Sequence, residues 1–210
     1  MLLAAVKIKE LKENALLTLE QFLLKRLKSA NQKELKFVQT LSFWMLDYVR
    51  LLNYENNLIK YKKYKRGDII KVNFGHRIGR EHGGLHYAVV LDTNNAIGSN
   101  LVTVIPLTSI KPTTDIAKLG KDRINIGNEI YKSLVLKVNS VSQSEKAAVI
   151  KELTRMKSGS IALIGQITTV SKYRIYDPLS TKNVLHGIKL SDQTLTIIDN
   201  KIKELFTHTI

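Results

Sequence analysis

Neither glycine nor proline occurs in this chain of 210 residues before Gly67. Because both residues interrupt helices, their absence from so long a segment favours continuous helices. Apolar residues recur at helical spacing in two stretches of it, and Asn31 followed by Glu34 is typical of a second helix start. We therefore predict a helical extension over residues 1–62. It folds as a hairpin that buries one face on the rest of the chain or on a second copy.

From Gly67 onward, short runs rich in β-branched residues alternate with turn residues, a pattern typical of strands. The runs that we predict to be strands are Ile69–Phe74, Tyr87–Asp92, Leu101–Pro106, Arg123–Ile126 and Ser160–Ile164. Many short strands with helices between them indicate an α+β fold built on a small β-barrel with peripheral helices. We assign this barrel domain to residues 63–210.

Two helices are predicted within this domain. Ser142 with Glu145 has the spacing of a capping box, and the helix that it opens ends near Met156. This helix makes a helical insertion near 142–157. Ser191 is expected to cap a last helix that carries apolar residues at helical spacing.

The net charge is +15, with +8 in residues 1–66 and +7 in the remainder, so the excess is spread along the chain. Such a field attracts polyanions, of which RNA and DNA are the commonest, although a solvated basic surface gives the same count. The chain has no cysteine, which excludes disulfides, thiolate catalysis and cysteine-ligated zinc. The apolar start, MLLAAV, is shorter than a signal-peptide core of about 7–15 residues, so we expect a cytoplasmic protein without a membrane segment.

The segment GREHGGLHYAVV, residues 79–90, places glycines, charges and two histidines directly before an apolar run. It is either an ordinary turn that enters a strand or a loop that performs chemistry. His82 and His86 are four residues apart, but Gly83 and Gly84 between them break any helix that would align the two rings on a metal. We therefore predict neither a metal nor another cofactor here.

Three ordered blocks resemble the MazF/PemK-type toxins of type II toxin–antitoxin systems. The blocks are RGDIIKVNF with the following GREHGG and AVVL, then VTVIPLT, and then IALIGQITTVSK. The resemblance covers roughly residues 64–210 and excludes the helical extension. It implies an SH3-like barrel, a homodimer, and cleavage of single-stranded RNA without a metal or other cofactor, which leaves 2′,3′-cyclic phosphate and 5′-hydroxyl ends. It also implies neutralisation by a cognate antitoxin.

The same resemblance implies the site residues. The position after Gly-Gly-x is an arginine in familiar members and is His86 here, and Thr108 matches the catalytic threonine of the family. An imidazole with a pKa near ~6.5 is a better proton-transfer group than a guanidinium. The predicted catalytic pair is therefore His86 and Thr108. Further RNA contacts are assigned to Arg77, Arg80, His82, Ser109, Gln166, Lys172 and Arg174.

Two other classes of function remain open from the sequence. The same barrel could serve as a non-catalytic module, either binding nucleic acid or poisoning an enzyme as the CcdB toxins do. Alternatively, the helices of residues 1–62 could make the chain a structural interaction protein. The Tyr61–Arg66 segment adds to this choice, because it is either a linker or a basic, aromatic surface for nucleic acid.

Overall fold

The computed structural model describes residues 2–29, 31–54 and 62–207, and it divides the chain into two compact units, Met1–Asn53 and Tyr54–Ile210. The helices of the described residues are α1 (Leu2–Leu27), α2 (Gln32–Tyr54), α3 (Glu129–Ser140), α4 (Gln143–Met156) and α5 (Asp192–Phe206). The strands are β1 (Ile69–Asn73), β2 (Leu85–Val90), β3 (Leu101–Ser109), β4 (Arg123–Gly127), β5 (Ser160–Leu163), β6 (Thr168–Ser171) and β7 (Ile175–Asp177). Among these residues, no helix is long and apolar enough to cross a membrane.

The first unit is the hairpin of α1 and α2. Its closed end is held by Arg26, whose guanidinium lies 4.6 Å from the ring centroid of Phe22 and 4.3 Å from that of Phe37. The same guanidinium pairs with Glu34, and the two phenylalanine rings meet edge to face at 6.0 Å. Asn31 caps α2, since its Oδ1 accepts a hydrogen bond from the Lys33 amide at 2.9 Å. The predicted helix start at Asn31 is thereby confirmed.

The second unit is built on one antiparallel sheet in the order β4-β5-β3-β2-β1-β7, and β6 also pairs with β3. Strand β3 organises the sheet because its nine residues have three partners. Along one edge it pairs with β6 and then β5, and along the other edge its middle pairs with β2. Beyond Pro106, β3 no longer pairs with β2, so the start of β2 and the end of β3 diverge.

Side chains that alternate along the strands supply two separate apolar cores. Ile69 and Val89 belong to the first core, which α3, α4 and α5 cover with buried residues of their own. Ile70 and Val90, each the next residue along its strand, belong to the second core on the opposite face. The helices therefore occupy one face of the sheet and leave a different environment on the other.

A buried ionic cluster attaches α4 to the first face. Glu152 is 8% exposed, and its carboxylate accepts hydrogen bonds from Lys71 Nζ at 2.9 Å and from Arg155 Nη1 at 2.8 Å. Tyr87 of β2 donates its hydroxyl to the other carboxylate oxygen. Because each polar group has partners, the buried charge is compensated.

The five strands predicted from the sequence are all present, with boundaries shifted by three residues or fewer. The capping box at Ser142 and the cap at Ser191, which accepts from the Thr194 amide, are confirmed. Helix α3 and the short strands β6 and β7 were not predicted.

The Tyr61–Arg66 segment was predicted to be either a linker or a basic, aromatic surface for nucleic acid. Tyr64 is 2% exposed and donates a hydrogen bond to the carbonyl of Pro178, so its ring cannot stack on a base. Tyr61 lies outside the described residues.

Candidate active site

The loop that joins β1 to β2 is closed by its own backbone. The Gly84 amide donates to the Gly75 carbonyl at 2.7 Å, and the Phe74 amide donates to the Gly84 carbonyl at 2.9 Å. Gly84 has a φ of +85°, in the region that favours glycine. A side chain at Gly83 would lie 2.7 Å from Cβ of Arg77, so the loop can close only with glycine there.

Gln166 fastens the middle of this loop to the opposite wall. Its Oε1 accepts from the His82 backbone amide at 2.6 Å, and its Nε2 donates to the Arg80 carbonyl at 3.2 Å. Both ends of the carboxamide are therefore engaged by the backbone. The sequence assigned an RNA contact to Gln166, and in the structure its carboxamide holds the loop.

The closed loop brings two imidazoles together. The ring centroids of His82 and His86 are 4.1 Å apart, with an angle of 57° between the planes. The ring of Phe74 lies edge-on to His82, with 5.3 Å between centroids. His82 Nε2 is buried and has no hydrogen-bond partner among the described residues. A buried nitrogen without a partner costs free energy, and such atoms concentrate at functional sites.

Burial favours the neutral form of both imidazoles. Burial, as the largest cause, together with the neighbouring His86 and Arg77, lowers the pKa of His82 from 6.5 to about 4. Burial also lowers the pKa of His86, although a hydrogen bond to the backbone of Gly83 acts in the opposite direction. At neutral pH both rings are therefore uncharged and able to accept a proton.

A groove of about 810 Å³ lies beside the pair, on the face opposite the helices. One wall is formed by Phe74 and by Arg80 to His82 of the loop. The other wall and the floor come from Pro106, from the β5–β6 connection and from Arg174. The groove is thus bordered by two guanidinium groups, Arg80 and Arg174, against one carboxylate, Glu81, and an anion is the ligand that this balance favours.

The register of β2 and β3 relates Thr108 to this groove. The last pair of the two strands is Ala88 opposite Pro106, and Pro106 lines the groove. Counting two residues further along each strand reaches His86 and Thr108. Since side chains alternate, these two residues share the face of Ala88 and Pro106, whereas Leu107, between Pro106 and Thr108, packs in the first core. The strands diverge here, which leaves space between them.

Comparisons with known proteins identify the family of this chain. A family model described as "PemK-like, MazF-like toxin of type II toxin-antitoxin system" matches residues 65–206. The chain belongs to this family. A solved structure of MazF from Deinococcus radiodurans is similar at 14% identity, covering 69% of this chain and 96% of that one with a TM-score of 0.41. No curated protein sequence matches the chain.

The family match confirms the resemblance recognised in the sequence and the predicted α+β, barrel-like fold with helices on its N-terminal side. Members of the MazF/PemK family are endoribonuclease toxins paired with antitoxins, so the general class of activity follows from membership. The match begins at residue 65, so the helical hairpin lies outside it. The details of the chemistry depend on the residues of this chain.

The structure distributes the predicted RNA contacts unevenly. Arg80, His82, Gln166 and Arg174 line the groove. Arg77 is exposed on the same loop, close enough to lower the pKa of both histidines. Ser109 is exposed at the end of β3, opposite Ser160.

Lys172 requires a correction. It is 4% exposed, its Nζ donates to the Ala96 carbonyl at 3.0 Å, and it lies 5.9 Å from the ring centroid of Tyr64. Burial lowers the pKa of this ammonium. Its observed partners belong to the fold, and the groove is formed without it, so Lys172 is not part of the candidate site.

Sequence reasoning also missed residues that line the groove. Phe74 was assigned only to a strand, and the hydroxyls of Thr168, Thr169 and Ser171 were read only as part of a family motif. Val170, between these residues, belongs to the second core and also lines the groove. The described residues contain no cluster of three or more side chains able to hold a metal ion.

Proposed function

We propose that this protein is a metal-independent endoribonuclease toxin that cleaves single-stranded RNA by attack of the 2′-hydroxyl. The products are a 2′,3′-cyclic phosphate and a 5′-hydroxyl. The observation that carries the proposal is the contact between the imidazoles of His82 and His86 beside a groove bordered by Arg80 and Arg174. The domain that acts is residues 63–210, with its helical insertion near 142–157.

RNA carries its own nucleophile, so the protein has to supply a base, an acid and donors for the charge on the phosphorane. His86 is the proposed base. Its lowered pKa leaves it neutral at physiological pH, which is the form that accepts the proton of the 2′-hydroxyl. The same lowered pKa makes the imidazolium that results a stronger acid.

The proton balance then closes within the site. The 2′-oxygen forms a bond to phosphorus while its proton passes to His86, and the bond from phosphorus to the 5′-oxygen breaks. The imidazolium of His86 gives its proton to the departing 5′-oxygen. Contact with the His82 ring excludes water from one side of His86 and keeps its pKa low.

Thr108 is the proposed donor to the phosphorane. It shares the face of His86 by strand register, and a hydroxyl there stabilises negative charge that develops on a phosphate oxygen. Ser109, the next residue, lies on the other face of β3 by alternation. We assign it only a contact with RNA that leaves the end of the groove.

RNA binding is assigned to the two walls. Arg80 and Arg174 would each contact a phosphate, Arg77 would add a third cation at the loop, and Phe74 presents an aromatic ring for stacking a base. A cognate antitoxin would compete for the same groove. A homodimer in the cytoplasm is the form of the toxin that we propose, as in the MazF homologues.

The test is cleavage of a mixed-sequence single-stranded RNA by the purified protein in excess chelator, followed by analysis of the product ends. We expect cyclic phosphate and 5′-hydroxyl ends, with cutting abolished by His86→Ala and by Thr108→Ala while the circular dichroism spectrum is retained. Binding of RNA with a steep salt dependence but no cutting at any pH would support the non-catalytic module instead.

A further inference from the structure

Helix α2 carries an uncharged stripe that no contact of the described residues explains. The stripe is Leu35, Gln39, Ser42, Leu46, Val49 and Asn53. Leu46 is 70% exposed and Val49 is 56% exposed. Exposed aliphatic side chains are unremarkable singly, but here Leu35, Leu46 and Val49 lie in one row with three uncharged polar residues, and such a row along one helix indicates an interaction surface.

The spacing of the stripe identifies the kind of partner. Its members follow one another by four, three, four, three and four residues, which is the heptad spacing of a coiled-coil seam. A second heptad row on α2 runs through Val38, Leu41 and Met45, on the side that contacts α1 through Phe37 and Glu34. A helix with two such seams is typical of a bundle, where it packs against two neighbouring helices.

Helix α1 also carries exposed aliphatic residues. Val6, Leu17 and Leu24 are 53%, 52% and 47% exposed, and their separations of 11 and 7 residues place them on one side of the helix. A face as long as α2, about 35 Å, and two helices wide, about 20 Å, would bury on the order of 700 Å² per copy. That is close to the ~800 Å² that each partner contributes to a stable interface.

We propose that this face is where a second copy of the chain docks, so that two hairpins form a four-helix bundle with α2 against α2 of the partner. The seam of α2 contains no charged residue. A partner of opposite charge would require cations in the seam, whereas a self-complementary, uncharged seam is what a twofold axis demands. Gln39, Ser42 and Asn53 would fix the register, as buried polar residues do in coiled coils. The inference stands independently of RNA cleavage.

The chain contains no cysteine, which makes a thiol-protection experiment straightforward. Ser42→Cys places a thiol in the seam, and Thr40→Cys places one two residues away on an exposed, off-seam position of the same helix. We expect the rate of thiol labelling of the full-length chain at position 42 to fall at least tenfold as protein concentration rises. The rate at position 40 should not change.

A second variant ties the protection to the seam. Leu46→Glu, combined with Ser42→Cys, should restore fast labelling at all concentrations, whereas Thr40→Glu, as the matched charge control, should not. Because residues 1–53 carry nine cationic and five anionic side chains, two copies repel, and added salt should increase the protection. Protection at position 42 that is independent of concentration, weakened by salt, or insensitive to Leu46→Glu would overturn the proposal. So would the absence of protection.

Discussion

His86 and Tyr87 are neighbours in β2, and they point into two faces of the sheet that follow opposite rules. On the face of Tyr87, the Glu152 carboxylate accepts from Lys71, Arg155 and the tyrosine hydroxyl, so the buried charge is satisfied. On the face of His86, two neutral rings touch and His82 Nε2 has no partner among the described residues. The polar groups of the first face bind one another and stabilise the fold, whereas those of the second face are available to a ligand.

The largest expected effect is the loss of RNA cleavage when the His86 imidazole is removed. His86→Ala should reduce RNA cleavage by about 10²–10⁴-fold, the usual contribution of a general acid–base group. Tyr87→Phe on the other face is the matched control and should leave the cleavage rate near that of the wild type. Initial rates in chelator measure both. Equal losses in the two variants would remove the distinction between the faces.

Thr108 should show the next effect. Thr108→Val deletes the hydroxyl at nearly constant volume and should lower kcat by about 10²-fold, as expected for one donor to a developing negative charge. Thr108→Ser retains the hydroxyl and should recover most of that loss. Recovery in serine is the result that separates a donor from a packing residue, and failure of serine to rescue would place Thr108 among the latter.

On the helical face the effect should fall on stability. Glu152→Ala leaves Lys71 and Tyr87 without their acceptor in a site that is 8% exposed, and should lower the free energy of unfolding by about 3 kcal/mol. The midpoint of urea denaturation measures this change. Cleavage at low temperature should remain near the wild-type rate. A selective loss of activity without loss of stability would contradict the structural role of this cluster.

Gln166 tests whether the closed loop matters. Gln166→Ala removes the acceptor of the His82 amide and the donor to the Arg80 carbonyl, so hydrogen exchange at the His82 amide should accelerate by about tenfold. Cleavage should decline by a similar factor, because the loop no longer holds His82 against His86. Unchanged exchange would show that the backbone of the loop closes without the glutamine.

The smallest expected effect is on the pH dependence of stability. The unfolded imidazole has a pKa of 6.5 and the folded His82 one of about 4, so between these values the unfolded chain binds more protons. The free energy of unfolding should therefore fall as the pH is lowered from 6.5 toward 4. In His82→Gln the thermal midpoint should change less over this interval. An identical slope in both proteins would argue against a buried neutral His82.

The sequence predicted well wherever a local pattern was sufficient. Strands rich in β-branched residues, such as Ile69–Asn73, and helices with clear caps at Ser142 and Ser191 were placed correctly. Helix α3 was missed although Asn128 stands at its N-cap position, where its side chain makes no capping hydrogen bond. Its apolar residues at positions 130, 134 and 138 were nevertheless at helical spacing.

The site was harder because its contacts join residues distant in sequence. Nothing in the local sequence of Gln166 shows that its amide meets the backbone 84 and 86 residues earlier. Lys172 and Tyr64 look like surface residues in a basic segment, yet both are buried, and the ammonium lies near the ring. The sequence showed only that His82 and His86 are four residues apart. Because Gly83 and Gly84 lie between them, this spacing did not predict that the two rings meet.

The central claim is that a neutral His86 accepts the 2′-hydroxyl proton beside His82, and the pH–rate profile of RNA cleavage in chelator tests it most directly. For the wild type we predict a rate that rises with pH through an acid limb below 6.5, as His86 loses its proton, and residual cleavage by His86→Ala without that limb. An acid limb that survives unchanged in His86→Ala would assign the base to another group and contradict the account.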